Sequence, residues 1–148
     1  MHEKENMSRG LVAEASISVN ASVERVWNAL IDPEVIKQHM FGTSVVSDWK
    51  VGSQIVWNGE WQGRKYEDRG AILRLQKDQL IEYTHFSPIS GKPDLRENHH
   101  KITIELVSHG KTTTIRLRQD NNETEEENEH SQKNWKKMLE ELRKLLEK

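Results

Sequence analysis

Residues 11–19 alternate apolar and mostly polar side chains, with an apolar residue at every second position. A period of two is typical of a β-strand that buries one face. The spacing changes in residues 23–31, where apolar side chains fall at i, i+3, i+4, i+7 and i+8. This second spacing predicts an amphipathic helix, with Asn20 or Ser22 as its N-cap.

Asp32 and Pro33 mark the end of this helix and the start of another. Proline cannot continue a helix but suits the first turn of a new one, and aspartate is a favoured N-cap. We therefore expect a second short helix over residues 33–40. Its apolar side consists of Val35, Ile36, His39 and Met40.

The pattern changes again between residues 43 and 119. β-Branched and aromatic runs are separated by short turn signals such as Gly52, Gln62-Gly63 and His109-Gly110. This pattern is typical of strands joined by tight turns, and tight turns favour antiparallel neighbours. The pattern predicts six strands, at residues 44–49, 53–61, 65–76, 80–87, 99–108 and 112–119.

The C-terminal segment has a helical period. Thr124 and Glu127 fit a T-x-x-E capping box, and the apolar residues beyond them recur at helical spacing, which predicts one helix over residues 125–147. The order of elements then predicts an α+β fold: a curved, seven-stranded antiparallel sheet wrapped on this helix, with two short helices after strand one. Residues 11–148 are expected to form one domain, and residues 1–10 a flexible arm.

Composition narrows the classes of function. The 148 residues carry a formal net charge of -2 and include no cysteine. A chain without a concentrated basic face is not expected to bind nucleic acid, and no apolar run approaches the roughly 18 residues of a membrane span. Thiolate metal sites and disulfides are excluded because there is no cysteine. We expect a cytoplasmic monomer that does not insert into a membrane.

Aromatic residues on the third predicted segment suggest the wall of a pocket. Ile55, Trp57 and Trp61 share one strand face, with Gly59 between the two tryptophans. These rings either line a cavity or fill the core, since aromatic side chains bury large areas whatever the function. The glycine favours the cavity.

Other segments supply further candidates for contact with a ligand. Trp135 and Met138 can face the hollow from the long helix, and Trp49 lies at the end of the second predicted strand. The corner between the short helices and the sheet places three more residues near the mouth. These are His39, Met40 and Phe41. A buried, hydrogen-bonded histidine explains His39 better than a general base does.

Residues 83–86 leave two arrangements open. Tyr83 and His85 share one face of their strand and Thr84 and Phe86 share the other, so only one pair can point inward. A tyrosine or histidine in an apolar pocket would orient a ligand oxygen by hydrogen bonding. Tyr83 and Phe86 are both candidate ligand contacts, although a polar surface alternation explains the pattern equally well.

No local spacing encodes a metal site or a catalytic centre. The sequence has no H-E-x-x-H motif, and His99 and His100 would point to opposite faces of a strand. Glu60, Glu67 and Asp68 are interpreted as ordinary strand carboxylates, and there is no glycine-rich phosphate loop. We expect no metal, no cofactor and no catalytic residue.

Several stretches, in this order, resemble a known family. The chain is similar to the activator of heat shock protein 90 ATPase homologue-like family of the START/SRPBCC superfamily, which has the helix-grip fold of the birch pollen allergen. The likeness covers nearly everything after residue 11. It rests on "VERVWNALIDPEVIKQ", "DWKVGS", "GAILRL", "LIEYTHFSP" and the ending "TTTIRLRQDNNETEEENEHSQKNWKKMLEELRKLLE". The family often has proline where this chain has Ala21-Ser22, and tryptophan where it has residues 39–41.

The resemblance implies a ligand-binding function. Members of the superfamily typically hold lipids, sterols, polyketides or flavonoid-like compounds between the sheet and the long helix, so a small apolar or aromatic ligand is the first expectation. A chaperone-associated interaction module is the alternative, because the family name describes a co-chaperone. An enzyme of the cyclase or hydrolase kind is a third hypothesis, which requires an inward-facing carboxylate or histidine.

Overall fold

A computed structural model describes residues 9–148, so most of the predicted arm, residues 1–10, lies outside the described residues. The chain forms seven strands and three α-helices within that range, besides two 3-10 helices of three residues each. In chain order they are β1 Leu11–Val19, α1 Val23–Ile31, α2 Pro33–His39, β2 Ser44–Ser47, β3 Gln54–Trp61, β4 Arg64–Gln76, β5 Leu80–His85, β6 His100–His109, β7 Thr112–Asn122 and α3 Glu125–Leu146.

The two short helices meet at Asp32, as the sequence predicts. Ser22 caps α1, since its Oγ accepts a hydrogen bond from the Arg25 backbone N–H at 3.4 Å. The Asp32 N–H donates to the Asn28 carbonyl at 3.0 Å, which closes α1. The Asp32 carboxylate accepts from the Glu34 N–H at 3.0 Å, which opens α2. One residue thus ends one helix and begins the next.

The strands form one antiparallel sheet in the order β1-β7-β6-β5-β4-β3-β2. The first strand pairs with the last, from Leu11 opposite Asn122 to Val19 opposite Thr113. Helices α1 and α2 therefore carry the chain from one edge of the sheet to the other, where β2 pairs with β3. The predicted fold, a seven-stranded antiparallel sheet with a long C-terminal helix packed on it, is confirmed.

The sheet has an irregularity where β4 passes β5. The pairing register shifts between Ile72 and Arg74, which indicates a β-bulge. Close by, a Cβ atom on Gly70 would lie 1.7 Å from the Thr84 carbonyl oxygen, so only glycine permits this backbone approach. Bulges bend a strand and increase its local twist. The sequence predicts the strands but not this bend.

Helix α3 begins at the predicted capping box and buries its apolar stripe on the sheet. The Thr124 Oγ1 accepts from the Glu127 N–H at 3.1 Å, and the Glu127 carboxylate accepts from the Glu123 N–H at 3.1 Å. With 22 residues, the helix is about 33 Å long. Its buried residues are Met138, Leu139, Leu142 and Leu146.

The helix does not cover the sheet evenly. It packs mainly on β1 and to a smaller extent on α2, β7 and α1. The far strands β3 and β4 have no comparable helix on them among the described residues. One half of the sheet therefore has a closed core, while the other half leaves a space beside α3.

Side-chain amides join the end of β7 to the first turns of α3. Trp135 Nε1 donates to Gln119 Oε1 at 2.7 Å, and Gln119 Nε2 donates to Asn122 Oδ1 at 3.0 Å. Asn122 Nδ2 donates in turn to Asn128 Oδ1 at 2.7 Å, and Asn128 Nδ2 to the Val12 carbonyl at 3.2 Å. This chain of amides fixes the start of α3 relative to both β7 and β1.

Candidate ligand-binding cleft

A cleft opens between α3 and the β3–β4 side of the sheet. Its outer part has a volume of about 480 Å³ and is open to solvent. Two smaller hollows of about 90 Å³ and about 30 Å³ lie further in. Met40 and Trp135 line all three spaces, so the three lie next to one another. The cleft narrows from a wide mouth to a deep end that has room for about one water molecule.

The prediction that His39 lies near the mouth of the pocket is wrong, because His39 lies at the deep end. The side chain is 1% exposed, and Nε2 is 3.4 Å from the Ala29 carbonyl oxygen. A carbonyl can only accept, so Nε2 carries the proton; Nδ1 is buried and has no partner among the described residues. Burial lowers the pKa of His39 to about 4, against a smaller opposing effect of the Ala29 carbonyl. His39 is therefore a neutral core residue.

Trp49 also lines the deep end, but not from a strand. The second strand ends at Ser47, and Trp49 follows in a left-handed backbone conformation with φ 53°. The prediction that this strand continues to residue 49 is wrong, because the Ser47 hydroxyl accepts from the Trp49 N–H at 3.1 Å and forms a local turn. The side chain nevertheless packs against the core beside Ile55 and Trp57.

Tyr83 and His85 are the pair that points into the cleft. The Trp57 ring centroid lies 5.2 Å from that of Tyr83 and 5.0 Å from that of His85. Both rings line the 90 Å³ hollow. Burial raises the pKa of Tyr83, so its hydroxyl stays protonated at neutral pH. The sequence leaves open which face of β5 points inward, and the structure shows that it is the face of Tyr83 and His85.

Phe86, a predicted ligand contact, does not line the cleft. It is 2% exposed and stacks on the His99 ring with the centroids 5.2 Å apart. On the same side of the strand, Thr84 Oγ1 accepts from the Ala71 N–H at 3.0 Å. Phe86 follows the opposite alternation to Tyr83 and His85, which explains why it lies outside the cleft.

Asp68, which the sequence suggests is an ordinary strand carboxylate, pairs with His85 inside the cleft. Asp68 Oδ2 is 2.9 Å from His85 Nε2, and the two side chains are 15% and 29% exposed. The second carboxylate oxygen, Oδ1, is buried without a hydrogen-bond partner among the described residues. Buried carboxylate oxygens are rarely left unpaired in proteins. The sequence signal that could have revealed the Asp68–His85 pair is the pairing of β4 with β5. It identifies the two residues as neighbours only when the inward face of β5 is known.

Tyr66 lies across Gly59, so this glycine does not open the cavity as expected. The two residues are opposite each other in the β3–β4 ladder, and a Cβ on Gly59 would lie 2.4 Å from the Tyr66 hydroxyl oxygen. The phenol thus fills the space that the glycine leaves. Its hydroxyl is 2.8 Å from Thr43 Oγ1, which fixes the ring beside Asp68 at the cleft wall.

Trp61 and Phe41 form the rim of the cleft. Trp61 is 68% exposed and Phe41 67% exposed, and both line the outer space. Trp61 therefore lines the outer space but is not buried beside Trp57, because it is the last residue of β3, opposite Arg64 at the tip of the β3–β4 hairpin. Phe41 follows α2 with a positive φ of 55° and lies near the mouth, where it was predicted.

Trp135 and Met138 face the cleft from α3, as predicted. Met138 is 4% exposed and lies between the outer space and the deep end. The Trp135 ring is held by its hydrogen bond to Gln119, and Met40 lies across the cleft from α2. These side chains supply an apolar wall opposite the polar group formed by Tyr66, Asp68 and His85.

Two further observations concern metal ions and membrane-spanning helices. Between residues 9 and 148, no group of three or more histidine, aspartate and glutamate side chains is placed to hold a metal ion. In the same range, no helix combines the length and apolar character needed to cross a bilayer.

The long helix, the antiparallel seven-stranded sheet around it and the space between them define a helix-grip domain of the SRPBCC type. The family model described as "Activator of Hsp90 ATPase homolog 1-like protein" matches residues 20–147. The chain belongs to this family. No functionally curated protein matches the sequence.

Solved structures resemble the chain over almost its whole length. The solution structure of ChR145 from Cytophaga hutchinsonii is 55% identical, covers 95% of this chain and 97% of its own, and has a TM-score of 0.82. The crystal structure of MLL2253 from Mesorhizobium loti is 16% identical with a TM-score of 0.76, covering 93% of this chain and 97% of its own. The Aha1 dimer from Colwellia psychrerythraea is 19% identical with a TM-score of 0.71, covering 92% and 96%. The last two similarities concern the fold alone.

Proposed function

We propose that the protein binds a small, largely aromatic ligand that carries a hydroxyl group, such as a polyketide or flavonoid-like molecule, in the cleft beside α3. The observation that carries this proposal is the open space of about 480 Å³ between aromatic rims and a polar inner wall. Sites for small molecules usually have volumes of about 300–1,000 Å³ and combine apolar walls with a few polar groups.

The cleft has little enclosed space, which disfavours a long-chain lipid or a sterol, because the mostly apolar surface of such a ligand has to be shielded from water. The inner hollows have volumes of about 90 Å³ and about 30 Å³, too small to enclose an acyl chain or a steroid nucleus. A flat ring system fits the wider outer part between Trp61 and Trp135. Aromatic pairs contribute about 0.5–1.5 kcal/mol beyond the burial of their area.

The polar wall favours a ligand that donates a hydrogen bond. Asp68 Oδ1 is buried and has no partner among the described residues. An unpaired buried acceptor costs about 1–3 kcal/mol, and a ligand hydroxyl placed there would remove that cost. The same hydroxyl fixes the orientation of a ligand whose affinity comes mainly from its rings.

Tryptophan fluorescence with three ligand classes tests the proposal. A hydroxylated flavone should quench or shift the emission in a saturable way, whereas hexadecanoic acid and cholesterol should have much weaker effects. Phe41→Ser should weaken flavone binding roughly tenfold, because it removes about 1.4 kcal/mol of apolar contact at the rim. Val51→Ser is the matched control, since Val51 is 66% exposed against 67% for Phe41 and does not line the cleft.

Two results would contradict the proposal. The first is the absence of saturable binding for all three ligand classes. The second is an equal loss of affinity in Phe41→Ser and Val51→Ser, which would place the binding surface outside the cleft.

A further inference from the structure

Tyr83 and His85 present two functional groups to the same space. They are two residues apart on one face of β5, which places their Cα atoms roughly 7 Å from each other. Trp57 packs against both rings, with centroid distances of 5.2 Å and 5.0 Å. A flat ligand that extends from the outer space into the inner hollow would meet the Tyr83 hydroxyl and the His85 imidazole together.

The pairing with Asp68 fixes which nitrogen of His85 is available. Asp68 Oδ2 can only accept from Nε2, at 2.9 Å, so in the neutral ring Nε2 carries the proton and Nδ1 has the lone pair. His85 Nδ1 makes no hydrogen bond to another described residue, and unlike His39 Nδ1 it is not sealed from solvent. An imidazole oriented by a carboxylate through one nitrogen, with the other nitrogen free, is the usual arrangement of a general base.

Tyr83 supplies the complementary group. Its hydroxyl has no hydrogen-bond partner among residues 9–148, and the ring lines the inner hollow. Burial raises the pKa of this phenol, so it remains a hydrogen-bond donor at neutral pH. A fixed donor in a space that excludes most water stabilises negative charge on a nearby oxygen more strongly than water does.

We propose that the cleft also catalyses proton transfer, with His85 as the general base, Tyr83 as the oxyanion donor and Asp68 as a positioning residue; this rests on the proposed function, because the ligand must occupy the same cleft. The substrate class is an aromatic ketone with hydrogen on the carbon next to the carbonyl. His85 Nδ1 takes that proton, the electron pair of the C–H bond forms the C=C bond, and the carbonyl π electrons move onto oxygen. The resulting enolate oxygen accepts from the Tyr83 hydroxyl. Return of a proton to carbon regenerates the ketone without an oxidant or reductant.

Exchange of hydrogen for deuterium in 2-tetralone measures this step. The protein in D₂O buffer should accelerate loss of the α-proton signals in the ¹H NMR spectrum above the buffer rate, with saturation in 2-tetralone. His85→Gln should lower the protein-dependent rate by at least about 100-fold, and Tyr83→Phe by a similar factor. The control is His109→Gln, because His109 is exposed, bonds to Thr114 and lies outside the cleft.

Two further variants separate chemistry from folding. Asp68→Asn should lower the maximal exchange rate while the dissociation constant for 2-tetralone stays nearly unchanged. His85→Ala should regain part of its activity when imidazole is added, which a merely structural role of His85 would not produce.

The possible outcomes distinguish this inference from the proposed function. If the hydroxylated flavone binds but the wild-type protein exchanges 2-tetralone no faster than His85→Gln, the inference is overturned and the binding function stands. If neither compound binds, both are overturned. Saturable exchange that depends on His85 and Tyr83 and is recovered with imidazole supports the inference.

Discussion

At the scale of single residues, the buried His39 makes the free energy of unfolding depend on pH. Its pKa is about 4 in the folded protein, compared with 6.5 for an ordinary histidine. Below pH 6.5 the unfolded chain binds a proton that the folded chain does not bind, so the free energy of unfolding falls as the pH is lowered towards 4. At about 1.4 kcal/mol per pKa unit, the full loss is about 3 kcal/mol.

Urea unfolding of the wild type and of His39→Leu at pH 7.5, 5.5 and 4 checks this expectation. Leucine has a similar size and does not titrate, so the variant should lose about 3 kcal/mol less than the wild type over this interval. Other groups titrate in both proteins, and their effect cancels in the difference. An identical pH dependence of the two proteins would mean that His39 has the same pKa in the folded and unfolded states.

At the scale of secondary structure, local signals and long-range contacts differ in how well the sequence reveals them. Helix α3 was predicted closely because its capping box at Thr124 and its apolar stripe are local patterns. The inward face of β5 was not predicted, since an alternation has two equivalent readings until neighbouring strands are known. The Asp68–His85 pair, formed across two strands, was missed for the same reason.

Asn122 is expected to be the residue on which the attachment of α3 to the sheet most depends. It is 2% exposed, and its amide bonds to Asn128 Oδ1, to the Gln119 carbonyl and to Gln119 Nε2. Asn122→Ala removes all of these hydrogen bonds from a buried position, so it should lower the free energy of unfolding by about 2–3 kcal/mol. Asn134→Ala on α3 is the matched control, because Asn134 is exposed and bonds only to His130 among the described residues. Chemical denaturation measures both variants, and equal losses would refute a special role for Asn122.

At the scale of the whole molecule, the order of secondary-structure elements predicted the fold. The shape of the cleft could not be predicted from the sequence and became clear only in the three-dimensional structure. The sequence indicated that Ile55, Trp57 and Trp61 share a face, but not how deeply each is buried. Trp57 is 4% exposed beside Tyr83 and His85, whereas Trp61, at the tip of the β3–β4 hairpin, is 68% exposed. The placement of His39 at the deep end likewise depends on how α2 packs against the other elements. A period in the sequence fixes which face is shared, not how far the covering layer extends.

This uneven cover should divide the molecule into parts of different local stability. Strand β7 lies between β1 and β6 under α3, with Ile115 and Leu117 almost fully buried, while most side chains of residues 58–65 are exposed. Local opening is easiest where few apolar contacts are lost. In native-state hydrogen exchange by NMR, the ladder amides of β7 should therefore exchange only on global unfolding. Those of residues 58–65 should open at least about 2 kcal/mol more easily. A bound hydroxylated flavone should slow exchange first in the hairpin of residues 58–65, because Glu60 and Trp61 line the cleft. Equal protection of β7 and of this hairpin would contradict the expected difference in local stability.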